Sequence, residues 1–149
     1  MASFIYNAGA HAIDNGDFDF LTATVKVMLL GLSTPYTPDK DHDHIDDINA
    51  SELAVSGYAG GFAGAGRKTL ANKAVTQNTG TDRDMLDADD PSAWTLAAGD
   101  SVTAAVVYFH LTSDAVSVPL AYLDFTDVVT NGGAFNLAFD ALGIGYSQQ

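Results

Sequence analysis

Apolar positions along the chain change from helical to alternating spacing near residue 20. From Ser3 to Gly16, Phe4, Ile5, Ala8, Ala12 and Ile13 recur at three- and four-residue intervals. That spacing predicts one short helix, with Ser3 able to cap its start and Asn15-Gly16 to end it. In "TATVKVMLLGL", Val25, Val27 and Leu29 alternate with Thr24, Lys26 and Met28, and the second half is apolar on both faces. A strand covered on both sides has this pattern. Ser33 to about Asp47 is acidic, with Pro35 and Pro38 opposing regular structure, and predicts a loop. "INASEL" has the polar starts of a helical turn, and "SGYAGGFAGAG" is too rich in glycine for a helix.

From "RKTLANKAVTQN" onward the chain reads as successive strands. "DRDMLDADD" follows the turn signal "NTGTD", then come "SVTAAVVYFHL", "VPLAYLDF" and "FNLAFD", with "LGIGYS" as a last edge strand. The sum predicts a mainly β fold: an antiparallel β-sandwich or small barrel of about six to seven strands with a short N-terminal helix. The 149 residues suit one domain, 1–149.

Charge narrows the function classes. Against 19 acidic side chains stand 6 basic ones, a net charge of −13. Such a chain is repelled by phosphate backbones and lacks a basic patch, so nucleic acid is not an expected partner. Cysteine is absent, which removes disulfides, thiolate catalysis and thiolate-bound metals. "MASFIYNAGAHAID" has no basic leader, and "VKVMLLGL" is far shorter than the ~20 residues of a spanning helix, so no membrane role is expected either.

"PDKDHDHIDD" concentrates the candidate chemistry. Asp39, Asp41, Asp43, Asp46 and Asp47 are the calcium candidates, should the loop fold back on itself. An EF-hand register from Asp39 fails, because His44 stands where glycine is needed and Ala50 where glutamate is. His42 and His44, with His110 or an aspartate, are the zinc alternative. Like charges along the stretch favour a hydrated, extended loop without an ion, facing a basic neighbour in a contact that its histidines would make pH-sensitive. No metal and no cofactor are therefore expected.

Other motifs fall short. "GFAGAGRKT" approaches the phosphate-binding loop, but Arg67 occupies the lysine position and Lys68 comes one residue late, a rotation of about 100° on a helix. Asp87 with Asp89, and Asp124 with Asp127, are carboxylate pairs at strand or turn spacing. No G-x-S-x-G elbow is present. His11 and His110 read as surface or interface residues and Trp94 as a plug at the core edge. A catalytic centre is not expected.

The segments "TVKVMLL…YTPDKDHDHIDDI", "SGYAGG", "DADDPSAW", "AAVVY" and "LAYLDF" occur in an order that resembles a family of small tailed-bacteriophage virion structural proteins. The similarity runs from about Ile5 to Ile144; "GGFAGAGRKTL" departs from it in being longer and richer in small residues. The resemblance implies a virion component assembled in the host cytoplasm, in the first place a capsid decoration or cement protein. Its implied partners are further copies of itself, as a homo-oligomer, and the major capsid protein. The alternative is a tail or fibre accessory module, with Asp39–Asp47 holding calcium. Strands apolar on both faces fit an oligomer, in which the second face would be hidden between subunits.

Overall fold

Residues 3–80, 83–140 and 143–148 are described by a computed structural model. In chain order its elements are β1 (Phe4–Ile5), α1 (Asn7–Asp14), β2 (Val25–Gly31), 3-10 turns at Ile45–Asp47 and Asn49–Ser51, β3 (Lys68–Thr69) and β4 (Ala74–Asn78). β5 (Arg83–Asp87), β6 (Trp94–Thr95), β7 (Ser101–Phe109), β8 (Val118–Val129), β9 (Ala134–Phe135) and β10 (Gly145–Gln148) follow. The fold is mainly β, as expected, and six of these strands are four residues or longer. Every strand pairing is antiparallel, and the sheets stay open, so no closed barrel forms among the described residues.

The main sheet has the order β1-β8-β7-β2-β3; β10-β5-β4 and β6-β9 form smaller sheets. β2 and β7, rich in β-branched and apolar residues, sit in its middle, where both faces must be covered. On one face Val25, Val27, Leu29, Val107 and Phe109 meet Leu86, Trp94 and Phe135 of the smaller sheets and Ile144 just before β10. On the other, Met28, Leu30, Val106, Tyr108 and Tyr122 meet Tyr6, Ile45 and Ile48.

That second face corrects the sequence-based picture of the acidic stretch. Its carboxylates do face water, but Ile45 and Ile48 are 0% exposed and seal the sheet. Full burial of an isoleucine is worth about 1.5–3 kcal/mol. Repulsion between two surface charges at ~4 Å is about 1 kcal/mol in water and less beyond. Burial therefore wins, and the loop folds onto the sheet instead of extending. The apolar surplus of β2 and β7 is buried within one chain, so it gives no argument for an oligomer.

Helix α1 is shorter than predicted. Phe4–Ile5 is extended and pairs with Tyr122–Ala121, and Ser3 caps nothing: its Oγ accepts the Asp124 N–H at 2.9 Å. The helix begins after Tyr6, whose N–H donates to Leu120 O at 2.9 Å, and ends at Asn15 before Gly16 (φ +77°). It rests directly on β8, since a Cβ on Gly9 would lie 2.5 Å from Pro119 O and 2.7 Å from Leu120 Cα. "FNLAFD" gives β9 only Phe135, which pairs together with the preceding Ala134; Leu137 is buried and Phe139 N–H donates to Asp90 Oδ1 at 2.7 Å instead of to a strand. β10 occupies the predicted last edge.

Candidate functional site

Arg67, immediately before β3, carries the most elaborate polar cluster among the described residues. Among the described residues it is the one charged residue that is buried as a whole. Nε donates to Glu52 Oε1 at 2.8 Å and Nη2 to Glu52 Oε2 at 2.7 Å. Nη1 and Nη2 also reach Asp114 Oδ1 and Oδ2 at 2.6 and 3.0 Å, and Nη1 lies 3.5 Å from the Tyr108 hydroxyl. All five guanidinium N–H groups are thereby directed at acceptors.

The two carboxylates are satisfied as well. Glu52 also accepts the Tyr58 hydroxyl at 2.9 Å and the Gly61 N–H at 2.9 Å; Asp114 accepts Asn49 Nδ2 at 3.0 Å. Tyr58 Oη in turn accepts the Leu29 N–H of β2 at 3.1 Å. A buried charge is tolerable only when paired and hydrogen-bonded in this way. Burial pushes the Asp114 carboxyl up, but the hydrogen bonds from Arg67 and Asn49 outweigh it and hold it below the usual range. Burial opposes the Arg67 charge, and the bonds to Glu52 and Asp114 outweigh that too, raising its pKa. Burial pushes the Tyr108 hydroxyl up to about 12.

The cluster therefore ties three loops to the sheet. They are the segment around Glu52, the glycine-rich loop and the β7–β8 connection that carries Asp114. The glycine loop fits by lacking side chains: a Cβ on Gly57 (φ +90°) would lie 2.0 Å from Thr95 O. Trp94 Nε1 donates to Gly66 O at 2.7 Å, and Lys68 Nζ sits 4.3 Å from the Trp94 ring. Trp94 is thus a core plug with its polar edge satisfied. Arg67, the residue in the lysine position of the near-miss phosphate loop, points to Glu52 and Asp114, and a two-residue strand follows it rather than a helix.

A second polar chain anchors the acidic stretch. Tyr6 Oη and Tyr36 Oη are 3.0 Å apart, and Tyr36 Oη is 2.7 Å from His42 Nδ1. Asp41 Oδ1 accepts Asn7 Nδ2 at 2.6 Å, and Asp39 Oδ1 accepts the Asp41 N–H at 3.0 Å. Asp47 Oδ2 lies 3.3 Å from the N–H groups of Asp43 and His44. Of the candidate ligands, His44, Asp46 and Asp47 have donor atoms within 4.8 Å of one another; Asp39, Asp41, Asp43 and His42 are outside that group. Asp46 and Asp47 are exposed. His110 is elsewhere, its ring 4.6 Å from Phe62, with Nδ1 buried and unpartnered; burial lowers its pKa.

The remaining candidates are dispersed. Asp87 Oδ1 accepts the Ala88 N–H, and Asp89 accepts Asn72 Nδ2. Asp124 and Asp127 lie on the outer half of β8, and His11 is exposed on α1. A recess of about 670 Å³ beside β1 is lined by Phe4, Leu123, Phe125 and Phe139, with Lys40 and Asp124 also at its wall. No helix of the described residues is long and apolar enough to cross a membrane.

The Glu52–Arg67–Asp114 cluster escaped sequence reasoning, because its three members are 15 and 47 residues apart and no local pattern marks them. No family model, curated protein or solved structure matches the chain.

Proposed function

We propose that the chain is a structural component of a tailed-bacteriophage particle, a capsid decoration protein that stabilises the head through contacts with the major capsid protein. The observation that carries this reading beside the family resemblance is what the buried charge does. Arg67, Glu52 and Asp114 saturate one another and hold three loops on a sheet whose two faces are already covered. This is chemistry for rigidity, of use to a body that transmits load between subunits.

The charge distribution suggests how it docks. Lys68 is directed at the Ser92 and Ala93 carbonyls, Lys73 at the Ala23 carbonyl, Lys40 at the Phe4 ring and Arg67 inward. The acidic stretch, by contrast, stays at the surface. Complementary potentials favour a basic capsid surface as the partner and strengthen association at low salt.

The test is the resistance of particles. Particles lacking the chain should burst at lower temperature or milder osmotic shock, and added purified chain should restore their resistance. Equal resistance with and without it would remove the cementing role.

A further inference from the structure

Among the described residues, His110 Nδ1 is the one buried side-chain polar atom without a hydrogen-bond partner. The residue follows β7 directly, and its own N–H donates to Thr24 O at 2.9 Å, which fixes the backbone below the ring. Above the ring lies Phe62 of the glycine-rich loop, residues 57–66, with centroids 4.6 Å apart and planes 24° from parallel. Tyr108, two residues earlier, makes a T-shaped contact with it at 6.0 Å.

This position suits only the neutral imidazole. With its proton on Nε2, the ring presents a lone pair at Nδ1. The imidazolium carries an N–H at both nitrogens, and the one at Nδ1 finds neither acceptor nor water. Lys26 of β2 and Arg67 before β3 add repulsion. Asp114, in the β7–β8 connection, favours the cation, but its two oxygens are already taken by Arg67 and Asn49. Tyr108 and Tyr58 are held neutral by burial. Burial, then Lys26 and Arg67, accordingly hold the His110 pKa below its ordinary 6.5.

The loop tip depends on this ring. Gly61 N–H donates to Glu52 Oε2, Gly64 N–H to Gly61 O and Gly66 N–H to Ala59 O, each at 2.9 Å. Between Gly61 and Gly66, Phe62 is the one large side chain, half-buried while Gly61, Ala63 and Ala65 are exposed.

The geometry points to a proton-operated latch: neutral His110 seats Phe62 and closes the loop tip at residues 61–66, and protonation of the ring in mild acid releases it. Once Phe62 lifts, water reaches Nδ1 and satisfies the new N–H. The released tip binds the proton better than the closed one. Opening therefore gains nothing well above pH 6.5, grows as pH falls through that value, and levels off below the closed-state midpoint. The inference does not rest on the particle reading, and a loop indifferent to pH would leave that reading standing.

The test uses the full chain and NMR. The His110 ring should titrate below 6.5, and Phe62→Ala, which uncovers Nδ1, should move its midpoint up toward that value. Protection of the Gly64 and Gly66 amides against hydrogen exchange, corrected for the intrinsic pH dependence, should fall severalfold between about pH 7.5 and about pH 5.5. The ceiling is the roughly tenfold change that a released ring titrating at 6.5 permits. His110→Phe keeps a ring beneath Phe62 and cannot titrate, so its protection should stay constant over the same range. A parent ring titrating at or above 6.5, as it would if the face of Phe62 favoured the cation, overturns the proposal. So does a midpoint unmoved by Phe62→Ala, or protection that is constant in the parent or falls equally in His110→Phe.

Discussion

Arg67 and Glu52 face each other across a two-bond fork, Nε to Oε1 at 2.8 Å and Nη2 to Oε2 at 2.7 Å, with the Glu52 side chain 7% exposed and that of Arg67 0%. Asp114 grips the same guanidinium from another loop at 2.6 Å. The geometry is bidentate on both carboxylates, which lysine cannot reproduce.

Removing the cation leaves two carboxylates facing one another in a largely dry site. Arg67→Met should lower unfolding free energy by about 3–5 kcal/mol, read as a shift in urea midpoint at unchanged slope. Arg67→Lys should recover only part of that loss. A loss under about 1 kcal/mol in Arg67→Met would mean that the cluster holds nothing.

Asp114 also sets an acid limit. Its carboxyl is held below the ordinary value of 3.8, so the unfolded chain takes up that proton first as pH falls. The stabilisation is complete above the unfolded value and disappears as pH drops through it toward the folded one. Asp114→Asn should therefore be less stable than the parent at neutral pH, and the gap should close below about pH 4. Parallel stability curves from pH 7 to pH 3 would contradict this.

Ile45 and Ile48 distinguish a packed segment from a hydrated loop. Truncating either to alanine should cost about 2–5 kcal/mol, as for any buried isoleucine. A solvated loop would tolerate the change within about 0.5 kcal/mol. Thermal or chemical denaturation of the two single variants decides between them.

Gly9→Ala opposes two expectations of opposite sign. Helix propensity alone favours alanine by about 1 kcal/mol. The added methyl would meet Pro119 O and Leu120 Cα, both backbone, at 2.5 and 2.7 Å. The close approach should prevail and the variant should be destabilised by about 1–3 kcal/mol; a rise in melting temperature would show that α1 is free to lift from β8.

The strands were legible where residues alternate or stay apolar for long enough: β2, β7, β8 and the β4–β5 hairpin follow directly from their sequences. The first residues were not, because Phe4 and Ile5 fit a helix by spacing, and only pairing with Tyr122 and Ala121 draws them into an edge strand. In "DHIDDI" the two isoleucines three residues apart were the signal that the acidic stretch packs, and it was overlooked beside the charges that surround them. Arg67 gave no signal at all. Its burial depends on two carboxylates that the fold brings from other loops.

The central claim, a structural place on the phage particle, is tested most directly by locating and counting the chain on purified virions with imaging and quantitative mass spectrometry. The account predicts density on the outside of the head, at a copy number in fixed ratio to the major capsid protein. A chain missing from washed particles, or present in a few copies at the tail, would contradict it.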